Sequence, residues 1–142
     1  MKGNPSYLLI VEQNNEPDSL SNLFMLDGFD RPIKAYQNTS EALKSLKASD
    51  NDYGWNVNLP DLILVDWSFE DQSVTELIKE VKSNKNFRII PLIILSNQFT
   101  EKELKKLYQL GVNSCLIKPS NTQSLRELCS VIHQYWIHTI LF

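Results

Sequence analysis

Cysteine, glycine and long apolar runs are all scarce in this 142-residue chain, and each scarcity removes a class of function. The two cysteines, Cys115 and Cys129, lack the close spacing of zinc ligands. The start, Met1-Lys2-Gly3-Asn4-Pro5-Ser6, is short and polar and is no export signal, so both cysteines are expected as reduced thiols and the chain as cytoplasmic. The four glycines are scattered, so neither a Walker A loop nor a G-x-G-x-x-G turn can be built, and no G-x-S-x-G elbow occurs. No stretch approaches the roughly 20 apolar residues that cross a bilayer. Excess basic charge is missing too: 14 Lys and Arg against 17 Asp and Glu give a net charge of -3. Neither a membrane nor a nucleic acid is therefore expected as a partner.

What is present is a set of short apolar runs, each ending on a polar group. Tyr7-Leu8-Leu9-Ile10-Val11 runs into Glu12-Gln13, and Leu62-Ile63-Leu64-Val65 into Asp66. Leu92-Ile93-Ile94-Leu95 runs into Ser96-Asn97, and Cys115-Leu116-Ile117 into Lys118-Pro119. Runs this short read as strands buried on both faces, the pattern of a parallel sheet. In open parallel α/β sheets ligands bind beyond the carboxyl ends of the strands, which is where these polar groups would gather.

Helical spacing fills the intervals. Pro17 suits a first helical turn before Leu20, Leu23, Phe24 and Met25, and Asp27-Gly28 ends that helix. Ile33 to Tyr36 is a second, short strand. Asn38 with Glu41, Ser73 with Glu76 and Thr100 with Glu103 have capping-box spacing. The helix after Thr100 is expected to turn Leu104, Leu107, Tyr108 and Leu110 inward and to stop at Gly111. The last helix starts near Asn121 and carries Leu125, Leu128, Val131, Ile132 and Tyr135. Tyr53 and Trp55, in the longest loop, read as plugs over a helix end. Five strands alternating with five helices predict a single α/β domain: a doubly wound, five-stranded parallel (βα)5 sheet with a core over about 6–134 and an apolar tail over 135–142.

With these runs in this order, the chain resembles the receiver domains of two-component response regulators, the CheY-like (flavodoxin-like) fold. The matching pieces are Leu9-Ile10-Val11-Glu12, 60–66 ending in Asp66, 91–96 ending in Ser96, and Leu116-Ile117-Lys118-Pro119. The resemblance implies a signalling module rather than an enzyme, with Asp66 accepting a phosphoryl group from a histidine kinase. It implies Mg2+ held by Glu12, Gln13, Asp66 and the backbone carbonyl of Ser68. Ser96 and Lys118 would contact the phosphoryl group, and the bond before Pro119 would be cis. The tail from Ile132 to Trp136 and the long loop before Asp61 look most like the stand-alone receivers that serve bacterial phytochromes.

Several residues depart from the family pattern. Gln13 stands where a second metal-binding Asp is usual, which removes a formal charge and predicts weaker Mg2+ binding. Cys115 replaces the family's switch aromatic; either the switch is blunted or a neighbour such as Tyr108 takes its part. Asn97 follows Ser96 where a smaller residue is common, and Glu70 and Val74 replace a usual Pro and Gly. Glu70 or Asp71 would be the replacements for the charge lost at Gln13. His133 and His138 read as surface residues, five apart and unsuited to one metal. The apolar tail predicts a homodimer through the last helix, with folding back onto its own domain as the other reading. With no output domain expected after the last helix, output would be a protein contact through the face of the fourth helix, fifth strand and fifth helix. The alternative function is a receiver-like binding or dimerisation module that no longer takes phosphate.

Overall fold

A computed structural model describes residues 7–13, 17–49, 59–67 and 72–139, with backbone alone for 137–139. In chain order the elements are β1 (Tyr7–Val11), α1 (Leu20–Leu26), β2 (Ile33–Tyr36), α2 (Thr39–Ser49), β3 (Pro60–Asp66) and α3 (Gln72–Ser83). They continue with β4 (Leu92–Ser96), α4 (Glu101–Gln109), β5 (Ser114–Ile117) and α5 (Thr122–Ile132), and a π-helical turn, His133–Thr139, extends α5. The strict alternation of strand and helix agrees with the sequence pattern. All strand pairs are parallel and the sheet order is β2-β1-β3-β4-β5.

The two-residue alternation of strands divides the apolar residues between two cores. Leu8, Ile10, Leu62, Leu64, Ile93 and Leu95 face α1 and α5, with Phe24, Leu125 and Ile132. Leu9, Val11, Ile63, Val65 and Ile94 face the other way, with Leu46, Leu77, Ile78 and Leu107 of α2, α3 and α4. Because β1, β3 and β4 are covered on both faces, their residues are nearly all fully buried, and so the runs read as continuous rather than alternating in sequence.

Local chemistry fixes most helix ends. Thr100 Oγ1 accepts from Glu103 N (3.1 Å) while Glu103 Oε1 accepts from Thr100 N (2.8 Å), the reciprocal box expected for α4. Asn38 Oδ1 accepts from Glu41 N (2.9 Å), and Asn121 Oδ1 from Ser124 N (2.8 Å). Ser73, expected as a cap, lies inside α3, which starts at Gln72. α1 starts at Leu20 with Ser19 as its N-cap, so Pro17 lies before the helix rather than in its first turn. Gly28 (φ 78°) and Gly111 (φ 106°) take the left-handed conformation after α1 and α4, which a side chain would strain.

The outward faces are more apolar than expected. Tyr108, expected to face inward, is exposed by 48%, and Val131 and Tyr135 of the last helix and tail are exposed by 61% and 50%. His133, read as a surface residue, is buried: its Nδ1 lies 2.8 Å from Asp27 Oδ2 and its ring packs on Phe29. This pair ties the end of α1 to the end of α5, a contact between distant chain segments that spacing within one helix does not reveal. Trp136 packs against the α1–α5 core, so the tail at this residue folds back on its own domain. Tyr53, Trp55, Glu70, Asp71 and the His138 side chain lie outside the described residues. No helix among the described residues is long and apolar enough to cross a membrane.

Leu64→Ala, at a fully buried central position, is expected to lower stability by about 2–5 kcal/mol, and Thr100→Ala, which removes an exposed cap, by about 1 kcal/mol. Urea unfolding of both variants checks the ratio.

Candidate phosphoacceptor site

Strand register brings the polar run-ends to one rim. Val11 pairs with Val65, so Glu12 and Asp66 are the next residues on neighbouring strands. Asp66 pairs with Leu95, Ser96 follows Leu95 and pairs with Ile117, and Lys118 follows Ile117. Backbone bonds hold these exits in place: Glu12 N to Tyr36 O (2.9 Å), Trp67 N to Leu95 O (2.6 Å) and Lys118 N to Ser96 O (2.8 Å).

At the centre, Lys118 Nζ lies 2.6 Å from Asp66 Oδ2, with the carboxylate side chain only 5% exposed. The two carboxylate oxygens are not equivalent. Oδ2 has the ammonium, whereas Oδ1 is buried and without a partner among the described residues. An ionised carboxylate has about four lone-pair sites, and burying an oxygen that accepts nothing costs free energy. Asp66 therefore keeps one oxygen whose acceptor capacity is unmet among the described residues.

Glu12 is buried beside it and serves a second purpose. Its Oε1 accepts from Leu20 N (2.8 Å), and its Oε2 from Ser21 N (3.1 Å) and Ser21 Oγ (3.0 Å). A carboxylate at a helix N-terminus satisfies orphan N–H groups and meets the favourable end of the dipole. Glu12 thus anchors α1 to the sheet, a role its sequence position did not suggest. Burial raises its pKa, the three α1 donors oppose that rise, and the charge of Asp66 adds to it. Gln13, beside it, is exposed.

Ser96 is buried, and its hydroxyl donates to Gln98 O (2.9 Å), within its own loop. The helix-entry hydroxyl of α4 is Thr100, not Ser96. Trp67, next after Asp66, points into the α2–α4 core and packs on Phe99, with ring centroids 6.4 Å apart. Cys115 is partly buried, and its backbone N–H donates to the hydroxyl of Tyr108 (3.0 Å). The Tyr108 hydroxyl thus reaches the edge of β5 at Cys115. No cis peptide bond occurs among the described residues, so Lys118–Pro119 is trans and the expected cis bond is corrected. Trans is the intrinsically favoured isomer by about 0.5–1 kcal/mol, and here Lys118 reaches Asp66 with it. Ser68, the expected backbone ligand, lies outside the described residues.

Glu12, Asp66, Ser96 and Lys118 thus leave adjacent strand ends of one parallel sheet. Residues 8–130 match the response regulator receiver domain. The chain belongs to that family. Its relatives include the probable methanogenesis regulatory protein FilR2 of Methanothrix harundinacea (strain 6Ac), 28% identical over 94% of this chain and 84% of that protein. Among solved structures, the phosphorylated cyanobacterial phytochrome response regulator RcpA is 25% identical, with TM-score 0.78, over 97% of this chain and 98% of that one. The Mn2+-bound form of response regulator Rcp1 is also 25% identical, with TM-score 0.79, over 97% and 99%. This is a receiver domain of two-component signalling, a signalling module by family.

Among the described residues no three His, Cys, Asp or Glu side chains gather as a metal-binding group. A cation would draw its oxygen donors from the Asp66 and Glu12 carboxylates, with the amide of Gln13 alongside in sequence. Hard oxygen donors of this kind suit Mg2+, which needs only one or two carboxylates beside phosphate oxygens and water, so the residues fit the ion in donor type with one charge fewer than the family pattern.

Because the folded pKa of Glu12 lies above its unfolded value, the folded chain binds the extra proton in the window between the two. The Glu12 contribution to stability is therefore largest at and below its unfolded pKa and falls as pH rises through the folded value. Urea unfolding from pH 4 to 7 is expected to show a more positive slope of stability against pH in Glu12→Gln than in the parent chain.

Proposed function

We propose that this receiver accepts a phosphoryl group on Asp66 from a histidine kinase and signals by protein contact. The observation that carries the reading is the buried Asp66 carboxylate with one oxygen on Lys118 and the other without a partner among the described residues. In the transfer, an Asp66 oxygen forms a bond to phosphorus as the phosphorus–nitrogen bond of the donor phosphohistidine breaks, leaving the electron pair on the imidazole. Mg2+, held by Asp66, Glu12, Gln13 and the Ser68 carbonyl, would offset charge between two anionic reactants. Lys118 would move its ammonium from the carboxylate to a phosphoryl oxygen as a point charge.

The switch follows from a limit on donors. A serine hydroxyl has one hydrogen to donate, and Ser96 gives it to Gln98 O. Donating to a phosphoryl oxygen instead requires release of that carbonyl, which frees the loop leading into α4. The phosphoryl group shifts the population of two loop arrangements by its different contacts in each. Tyr108 serves in place of the aromatic absent at Cys115, because its hydroxyl engages that residue's backbone.

A phytochrome-type sensor kinase is the proposed input partner, supported by the likeness to RcpA across nearly the whole chain. The output partner would meet the face of α4, β5 and α5, where Tyr108, Ile117 and Val131 are exposed. Val131 and Tyr135 on α5 and the tail support a homodimer.

Incubation with acetyl phosphate and millimolar Mg2+ is expected to add one phosphoryl mass to the intact chain and none to Asp66→Asn. Gln13→Asp is expected to tighten Mg2+ binding by about tenfold or more, since a charge pair near 4 Å is worth on the order of 4 kcal/mol before desolvation at a dielectric near 20. No mass gain in a folded parent chain would instead support the phosphorylation-independent binding module. Sedimentation velocity is expected to show a concentration-dependent dimer that Val131→Glu weakens at least tenfold; a monomer at all concentrations removes the dimer.

A further inference from the structure

We propose that the ring pair of Trp67 and Phe99 is the contact through which a change at Asp66 reaches the start of α4, making both positioning residues. The inference deepens the reading of Asp66 as phosphoacceptor and rests on it for its biological sense.

The sheet separates the two places that must communicate. By the alternation of β3, Leu62 and Leu64 face the α1–α5 side, and Asp66 continues that parity, whereas α4 packs on the opposite core. Trp67 is the first residue after Asp66, and its side chain lies in the α2–α4 core. Its amide donates to Leu95 O at 2.6 Å, so its backbone is bonded to β4 one residue before Ser96. A shift of the Asp66 backbone therefore moves Trp67 directly.

On the far side, the indole meets Phe99, with centroids 6.4 Å apart and planes at 51°. Phe99 immediately precedes Thr100, the N-cap of α4, so it occupies the position that sets the angle at which the chain enters the helix. It also follows Gln98, whose carbonyl accepts the Ser96 hydroxyl. One ring thus joins both ends of the loop: the cap on one side and the serine on the other.

The manner of holding the indole matters as well. Its Nε1–H is buried and has no acceptor among the described residues, and the ring is held by packing in the α2–α4 core and on Phe99. With a thiol rather than a ring at Cys115, Trp67 and Phe99 supply an aromatic contact between the Asp66 strand end and the α4 entry.

A double-mutant cycle read by amide hydrogen exchange tests this without any phosphodonor. Asp66→Asn, which removes the charge facing Lys118, is measured in the parent chain, in Phe99→Leu and in Trp67→Phe. In the parent, Asp66→Asn is expected to change exchange at residues 100–104 by about tenfold, or about 1.4 kcal/mol. In Phe99→Leu, which keeps apolar bulk, the same change is expected to fall below about threefold. Trp67→Phe keeps a ring and is expected to retain most of the effect. Equal factors in the parent and Phe99→Leu, or no effect of Asp66→Asn on residues 100–104 in the parent, overturn the proposal. Failure of acetyl phosphate to add mass overturns the phosphoacceptor reading instead and leaves the cycle's result standing.

Discussion

Two opposite charges held almost out of water set the terms for this domain. The Asp66 carboxylate and the Lys118 ammonium each lose hydration where β3 and β5 leave the sheet, and each makes the other's burial tolerable. Removing either partner leaves an uncompensated charge, which costs several kcal/mol in buried pairs generally. Between these two strands runs β4, so the contact holds only if all three strands keep their register. The requirement passes backward into the core: Leu64, Ile93 and Leu95 fix the height at which each strand ends, and a slip by one residue would also turn every side chain to the wrong face.

Much of this is legible in the linear chain for one physical reason. A strand buried on both faces must be apolar throughout, so its end is marked by the first polar residue. Glu12, Asp66, Ser96 and Lys118 are all marked in this way. Helix caps are legible because they are local; the Thr100–Glu103 box needs only its own four residues. The homologous sheet then orders these ends side by side, and the family match over residues 8–130 agrees.

What stayed hidden depends on partners far along the chain. Glu12 binds the start of α1, His133 binds Asp27, and Arg31 pairs with the buried Asp61 near the opposite end of β3. None of these has a spacing signature, since each joins separate elements. Tyr108, expected inward from its helical spacing, is exposed instead, because apolar character does not require burial and a surface retains much apolar area. The isomer at Pro119 was carried over from the family resemblance rather than read from the residues, and that carry-over did not hold.

The Tyr108 phenol has a meaning apart from signalling. β5 is an outermost strand, and a strand in that position exposes main-chain donors to which a foreign strand can pair. At Cys115 that donor is already occupied by a hydroxyl reaching over from α4. A side chain that stands in for a neighbouring strand closes the sheet laterally without adding one, and so a visiting peptide must first displace an aromatic ring before it can zip onto this border.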